Sequence, residues 1–170
     1  MNEKPFRLRV MDALAKGIAE RVTPENGATN DLSEASFYGR STYGDNDPLP
    51  MSSMIEDPRE QETQGTVVAG KGHVVKWRLL VQGFVDDSSD NPTGPAYVLA
   101  ADIMRGLAEI AKANFDRDDT VLGSRRKVNV IQEIGIGAPI VRPPDEFSSK
   151  AYCWIPLTLD LFETPSAPFT

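Results

Sequence analysis

The sequence predicts an α+β fold: a mixed, mostly antiparallel sheet with two amphipathic helices packed on one face, in the order α-β-β-β-α-β-β, joined by long loops. Three observations lead there. Two segments repeat apolar residues at spacings of three and four, as a helix with one buried stripe requires. Three long segments alternate with period two and so present one apolar face each, the pattern of antiparallel strands packed on one side. The 13 glycines and 13 prolines together exceed 15% of the 170 residues, which sets long, shaped loops around a modest framework.

From Lys4 to Val22, the residues Phe6, Val10, Leu14, Ile18 and Val22 recur at spacing four with Met11 beside them, while Arg7, Asp12, Lys16 and Glu20 fall elsewhere. This predicts a helix of about five turns, with Pro5 tolerated near its start and Thr23-Pro24 stopping it. Turn formers fill Glu25 to Asp31, after which Ala35 to Arg40 predicts a short strand. The block Tyr43 to Pro50 is a turn cluster, barred from a central strand because Pro48 and Pro50 lack amide donors. Met51 to Glu56 predicts a second short strand. Residues 57–72 are polar, with Gly65, Gly70 and Gly72 and only Val67-Val68 as an apolar island, and predict a long protruding loop.

His73 to Val85 is the clearest strand. Val75, Trp77, Leu79, Val81 and Val85 share one face; Lys76, Arg78 and Gln82 share the other with Val74, Leu80 and Phe84. After a turn-rich stretch from Asp86 to Gly94, the segment Pro95 to Phe115 predicts the second helix. Its apolar face is Ala96, Leu99, Ala100, Ile103, Leu107, Ile110 and Ala111, with Asp102, Arg105, Glu109 and Lys112 mostly away from it. Asp116 to Lys127 is a loop. Val128 to Ile136 predicts a strand with Val128, Val130, Gln132, Ile134 and Ile136 on one side, and Lys150 to Glu163 another with Cys153, Ile155, Leu157, Leu159 and Leu161 on one side. Between them, Gly137 to Asp145 reads as a proline-broken connection. The whole chain, 1–170, is expected to form a single domain.

Length and charge narrow the function. A chain of 170 residues buries about two-thirds of its unfolded surface, enough for one core without staples. With 18 Lys+Arg against 25 Asp+Glu, the net charge of −7 argues against a general nucleic-acid binder, whose phosphate affinity rests on clustered cations. Cys153 is the only cysteine, so no intrachain disulfide is possible, and a zinc site would have to rely on carboxylates and the single histidine, His73. No secretory signal is read at the N-terminus, and no apolar run approaches the roughly 20 residues that span a bilayer. The expectation is a soluble protein of a reducing cytosol.

Catalytic groupings are scarce in the sequence. No serine stands in a Gly-x-Ser-x-Gly elbow to use His73, and Cys153 falls on the apolar face of the last strand, where a small buried hydrophobe is expected. The glycines of Gly65–Gly72 and Gly135–Gly137 lack the Lys-Ser/Thr ending and following helix of a phosphate loop. Asp45/Asp47 and Asp86/Asp87/Asp90 lack calcium-loop spacing, and Arg125-Arg126-Lys127 sits beside Asp116, Asp118 and Asp119 as a locally neutralised loop. The reading is therefore a non-enzyme with no metal and no cofactor. Extended loops and open strand edges remain, and symmetric self-assembly is one way to cover such edges.

Two stretches carry a resemblance. Gly39-Arg40, Tyr43-Gly44 and Asp47-Pro48-Leu49-Pro50-Met51, continuing to Ile55-Glu56, form the first; Ile140 to Glu146, with Arg142-Pro143-Pro144 at its centre, and the closing strand Ala151 to Glu163 form the second. In these motifs the chain resembles tail terminator (tail completion) proteins of long-tailed bacteriophages, and its elements follow the order of that family over nearly the whole length.

The resemblance implies a structural virion protein assembled in the host cytoplasm. It would form a ring, expected to be a hexamer, at the head-proximal end of the tail tube, ending tube polymerisation and docking the head connector. Its partners would be further copies of itself, the tail tube protein and a connector or stopper protein, with genomic DNA passing through the pore without specific binding. Gly39, Arg40, Asp47, Pro48, Leu49, Pro50, Glu56, Arg142, Pro143 and Pro144 are then candidates for subunit contact, or simply shape tight turns. Gln64, Val67, Val68 and Lys71, in the long loop, are candidates for contact with the tube or a neighbour, or lie on a bare surface loop. Six copies would carry about −42 together, a charge that discourages DNA from adhering to a conduit. A head-side stopper or head-completion ring of the same joint is the alternative within this class, and a small metal- or ligand-binding domain is the alternative outside it.

Overall fold

The structure, a computed structural model, describes residues 4–57, 71–116 and 129–169. Among them the fold is α+β, as the pattern predicts. The elements are α1 (Phe6–Arg21), β1 (Ser36–Tyr38), β2 (Met51–Glu56), β3 (His73–Val85), α2 (Gly94–Asp116), β4 (Val130–Ile136), β5 (Ile140–Arg142) and β6 (Ala151–Glu163), with a short 3-10 turn at Pro24–Asn26. The strand path is β1-β2-β3-β6-β4, and β5 joins β6 on the same side as β4.

The centre of the sheet is an antiparallel ladder of β3 on β6, running unbroken from His73↔Glu163 to Val85↔Ala151. Both strands alternate as the sequence demands. Val75, Trp77, Leu79 and Val81 on β3 and Cys153, Ile155, Leu157, Leu159 and Leu161 on β6 share one face, all of them buried. Both helices pack on that face, α1 over β1 and β2, α2 over β3 and β6 and reaching β4 and β5. Each fully buried Leu or Ile on it contributes about 1.5–3 kcal/mol of transfer free energy. Gly83 is where α2 comes nearest the sheet: a Cβ there would lie 2.8 Å from Cys153 Sγ, 2.9 Å from Leu99 Cδ2 and 3.1 Å from Ile103 Cδ1.

Four features depart from the pattern-based reading. The proline-broken connection contains a strand: β5 pairs Ile140↔Trp154 and Arg142↔Tyr152. Pro156 is what separates β4 from β5. Its carbonyl accepts from Gly137 N at 2.7 Å, so its missing N–H also points at this edge, and the proline is tolerated inside a central strand because the ladder is interrupted there. In β4 a bulge between Ile131 and Glu133 turns Ile131, rather than Val130, to the core alongside Ile134 and Ile136; an extra residue reverses the alternation. β1 and β2 run parallel, which is why residues 39–50 are needed to cross over between them.

The fourth departure is Asp102. It faces inward at 8% exposure, and its Oδ2 accepts from Thr29 N (3.0 Å), Asn30 N (2.9 Å) and Asn30 Nδ2 (2.9 Å). A polar residue in the wrong part of a helical pattern thus anchors the turn after α1, helped by Arg105, which donates to Gly27 O at 2.9 Å. At the far end of the sheet, Arg7 donates to both carboxylate oxygens of Glu163 (2.9 and 2.7 Å) and lies 5.1 Å over the Trp77 ring, tying the start of α1 to the end of β6.

Gly83→Val is expected to destabilise the fold by about 2–3 kcal/mol, because three buried side chains must move to admit it. A urea midpoint unchanged from the parent would show that α2 does not rest on the sheet at this point.

Candidate functional site

The face of the sheet opposite the helices is organised in rows across the strands. Met51, Phe84, Tyr152 and Arg142 are successive register partners across β2, β3, β6 and β5. The next row is Ser53, Gln82, Trp154 and Ile140. Both motif-bearing stretches end on these two rows.

The segment 39–50 lies over the covered end of this face and is held from below. Gly39 has φ +78°, the left-handed region that favours glycine, and its N–H donates to Met54 O at 2.7 Å. Ser53 Oγ donates to Arg40 O at 2.7 Å, and Gln82, 2% exposed, has its amide end against the carbonyls of Arg40 (3.2 Å) and Ser41 (3.3 Å), which assigns its NH2 to that side as donor to both. Buried polar groups must be paired, and here a serine and a glutamine in otherwise apolar surroundings are paired by the loop backbone. The Arg40 guanidinium sits 3.8 Å over the Phe37 ring and bonds Asp47. Asp47 also accepts from Gly44 N at 2.6 Å, and that bond first, then Arg40, holds its carboxyl below the usual range. The Leu49–Pro50 peptide is cis, with Leu49 half-buried against the core.

The second motif meets the first through aromatic rings. Tyr43 stands edge-on to Phe84 at 5.3 Å between centroids and shares a hydrogen bond with Ser149. Tyr152 lies between Phe84 (6.4 Å) and Phe147 (5.6 Å), and Phe147 is edge-on to Trp154 at 5.4 Å. Asp145 accepts from Tyr152 Oη (2.8 Å) and from the backbone of Phe147 (2.9 Å) and Ser148 (3.3 Å), which lowers its pKa. Burial, and then the bond to Asp145, push the Tyr152 phenol up to about 12. Phe147 (53% exposed) and Ile140 (39%) remain in solvent beside half-buried Trp154, forming an apolar patch next to Arg142, Pro143 and Pro144.

Beyond Pro156 the same face is charged, and no loop like 39–50 lies over it among the described residues. A groove of about 620 Å³ is lined by Asp57, Lys76, Arg78, Glu133, Thr158 and Asp160, with Lys76 Nζ 3.8 Å from Asp160 Oδ1. Basic side chains of β3 stand between carboxylates on both sides, so the charges largely answer one another.

The structure thus brings Gly39, Arg40, Asp47, Pro48, Leu49, Pro50 and Arg142, Pro143, Pro144 to one end of one face. Glu56 is not among them: it ends β2 on the helix side, accepting from Trp77 Nε1 at 3.1 Å. Lys71 is exposed just before β3. Gln64, Val67 and Val68 lie outside the described residues. Ser53, Gln82, Tyr43, Asp145, Phe147 and Trp154 were not singled out as site residues from sequence; the lone Gln82 within an apolar strand was the available signal. Cys153 is fully buried and its thiol pushed up to about 12 by burial, a state without nucleophilic character. Asp86 is bound to Lys150, and among the described residues no group of three or more His, Cys, Asp or Glu is gathered as a metal site. Among them, too, no helix is long and apolar enough to cross a membrane. Comparison with protein-family models and with curated proteins finds no match to the chain.

Tyr152 sets an alkaline limit. Its folded pKa stands above the unfolded value of 10.0, so the neutral phenol contributes stability that is fully present below pH 10 and is lost as pH rises to about 12. A tyrosinate absorbance titration should show one late component near pH 12 that disappears in Tyr152→Phe; its persistence would remove Tyr152 from this role.

Proposed function

We propose that this chain is a structural virion protein of the tail terminator kind: a ring-forming subunit, six to a ring, at the head-proximal end of a phage tail tube. The observation that supports this most is that the two stretches bearing the family resemblance, far apart in sequence, meet on one end of one sheet face and leave Ile140, Phe147 and Trp154 in an apolar patch there. Apolar and aromatic side chains beside Arg are the usual anchors of a protein contact. In this reading the patch, with Arg142, Pro143 and Pro144, meets the tube or a neighbouring subunit, while Arg40 and Asp47 lock the loop that frames it. Contacts around the ring are heterologous and close by rotation. The excess of carboxylates faces the pore and keeps DNA sliding.

A head-side stopper or head-completion ring would use the same surface, and position on the virion separates the two. The charged groove over Lys76, Arg78, Glu133 and Asp160 favours a second reading, a small ligand- or metal-binding domain; a stable monomer that takes up a divalent cation tightly in calorimetry would support it.

Density for this chain is expected at the head-proximal end of the tail in cryo-electron microscopy of the intact particle. Density on the head side of the joint, or none, would overturn the assignment. Phe147→Asp, at a half-exposed position that leaves the core intact, should lower co-sedimentation with tail tubes at least about tenfold, equivalent to about 1.4 kcal/mol.

A further inference from the structure

Asn26-Gly27 is the one Asn-Gly pair in the sequence, and a glycine after asparagine leaves the following amide nitrogen unhindered by a side chain. Both residues are exposed, in the turn that leaves α1. In an open chain such a pair is chemically labile. The Gly27 nitrogen, having lost its proton, attacks the side-chain carbonyl carbon of Asn26; an N–C bond forms, the bond to the side-chain nitrogen breaks and ammonia leaves. Water then opens the cyclic imide at either carbonyl, which leaves aspartate or isoaspartate at position 26.

The fold engages every group that this reaction needs. Gly27 N donates to Pro24 O at 2.9 Å, and Asn26 Nδ2, the nitrogen that would leave, donates to Glu20 O at 2.8 Å. Asn26 N donates to Thr23 O at 3.1 Å, which keeps Asn26 in the 3-10 turn, and Gly27 follows at φ +79°. The carbonyl of Gly27 accepts from Arg105 Nη1 at 2.9 Å, and the amides of Thr29 and Asn30 are bound by Asp102. Ring closure needs the Gly27 nitrogen turned onto the Asn26 side chain, so the turn must first part from α2.

We propose that Asn26-Gly27 is a deamidation site gated by this clamp. It is closed while Arg105 and Asp102 hold the turn and reacts with water when the turn lifts from α2. The change is one-way. A carboxylate at position 26 gives Glu20 O no donor and sets a negative charge at the carbonyl end of α1, while isoaspartate lengthens the backbone inside the Gly27 N to Pro24 O bond. Each modified chain therefore records an opening of the link between α1 and α2. The gate is independent of the ring reading.

The full chain is aged in mildly alkaline buffer, folded and in urea, and aspartate plus isoaspartate at position 26 is followed by mass-spectrometric peptide mapping. The folded chain should deamidate at least about tenfold more slowly than the chain in urea, since reaction waits on local opening. Hydrogen exchange also begins with loss of the Gly27 amide proton, so the slowing should be no smaller than the protection of that amide. Arg105→Ala removes the donor to Gly27 O and should raise the folded-state rate at least about threefold, the effect of one hydrogen bond, with the rate in urea unchanged. The amide of Leu157, in the central ladder, should stay protected in that variant; where it does not, the parent's own Gly27 comparison decides. Equal rates folded and in urea, a slowing smaller than the Gly27 protection, or a folded Arg105→Ala variant with the parent's rate would each overturn the proposal.

Discussion

The antiparallel ladder between β3 and β6 is the constraint on which everything else rests. Thirteen register pairs join two strands that are both apolar on the same alternating positions. A slip of one residue would turn Leu79, Val81, Leu157 and Leu159 to solvent and bring Lys76, Arg78 and Asp160 inside, so the register is held by burial as much as by hydrogen bonds. α2 can then settle only where the ladder lets it approach, over Gly83. Because β6 is central, its outer edge is shared by two short strands, and Pro156 decides where one stops and the next begins.

The same ladder divides the opposite face into two environments. At the end where β3 finishes and β6 begins, Phe84, Tyr152 and Trp154 project side by side and must be covered. The loops after β1 and β5 supply the cover, through Tyr43, Phe147 and the backbone that satisfies Ser53 and Gln82. At the other end, Lys76, Arg78, Thr158 and Asp160 project from the same strands and need water or a partner of mixed charge. One face thereby carries an aromatic, loop-covered half suited to protein contact and a wet, charged half. The division is set by which residue types occupy even positions along β3 and β6.

The loops of the covered half are fastened by polar bonds to the sheet rather than by deep apolar burial. Arg40 stacks on Phe37 while its backbone is gripped by Ser53 and Gln82; Asp145 gathers Tyr152 and two amides. Such fastening holds a loop in one shape while leaving its outer residues, Phe147 and Ile140 among them, free to meet something else.

Much of the architecture was legible in the sequence because it follows from periodicity. The stripe Phe6–Val10–Leu14–Ile18, the alternation along His73–Val85 and the run Cys153–Ile155–Leu157–Leu159–Leu161 each bury the residues that the pattern marks, and together they determine an α+β sheet with helices on one side. What the pattern could not carry were events that break the period or join distant segments. The bulge in β4 shifts the alternation by one residue, β5 is only three residues long between prolines, and Asp102 turns inward because the turn at Thr29–Asn30 presents amides that need an acceptor. The candidate site falls in the same category. Residues near positions 40, 82, 145 and 154 become neighbours only when β2, β3, β6 and β5 align in register, because an interaction between strands depends on tertiary pairing that local residue order does not specify.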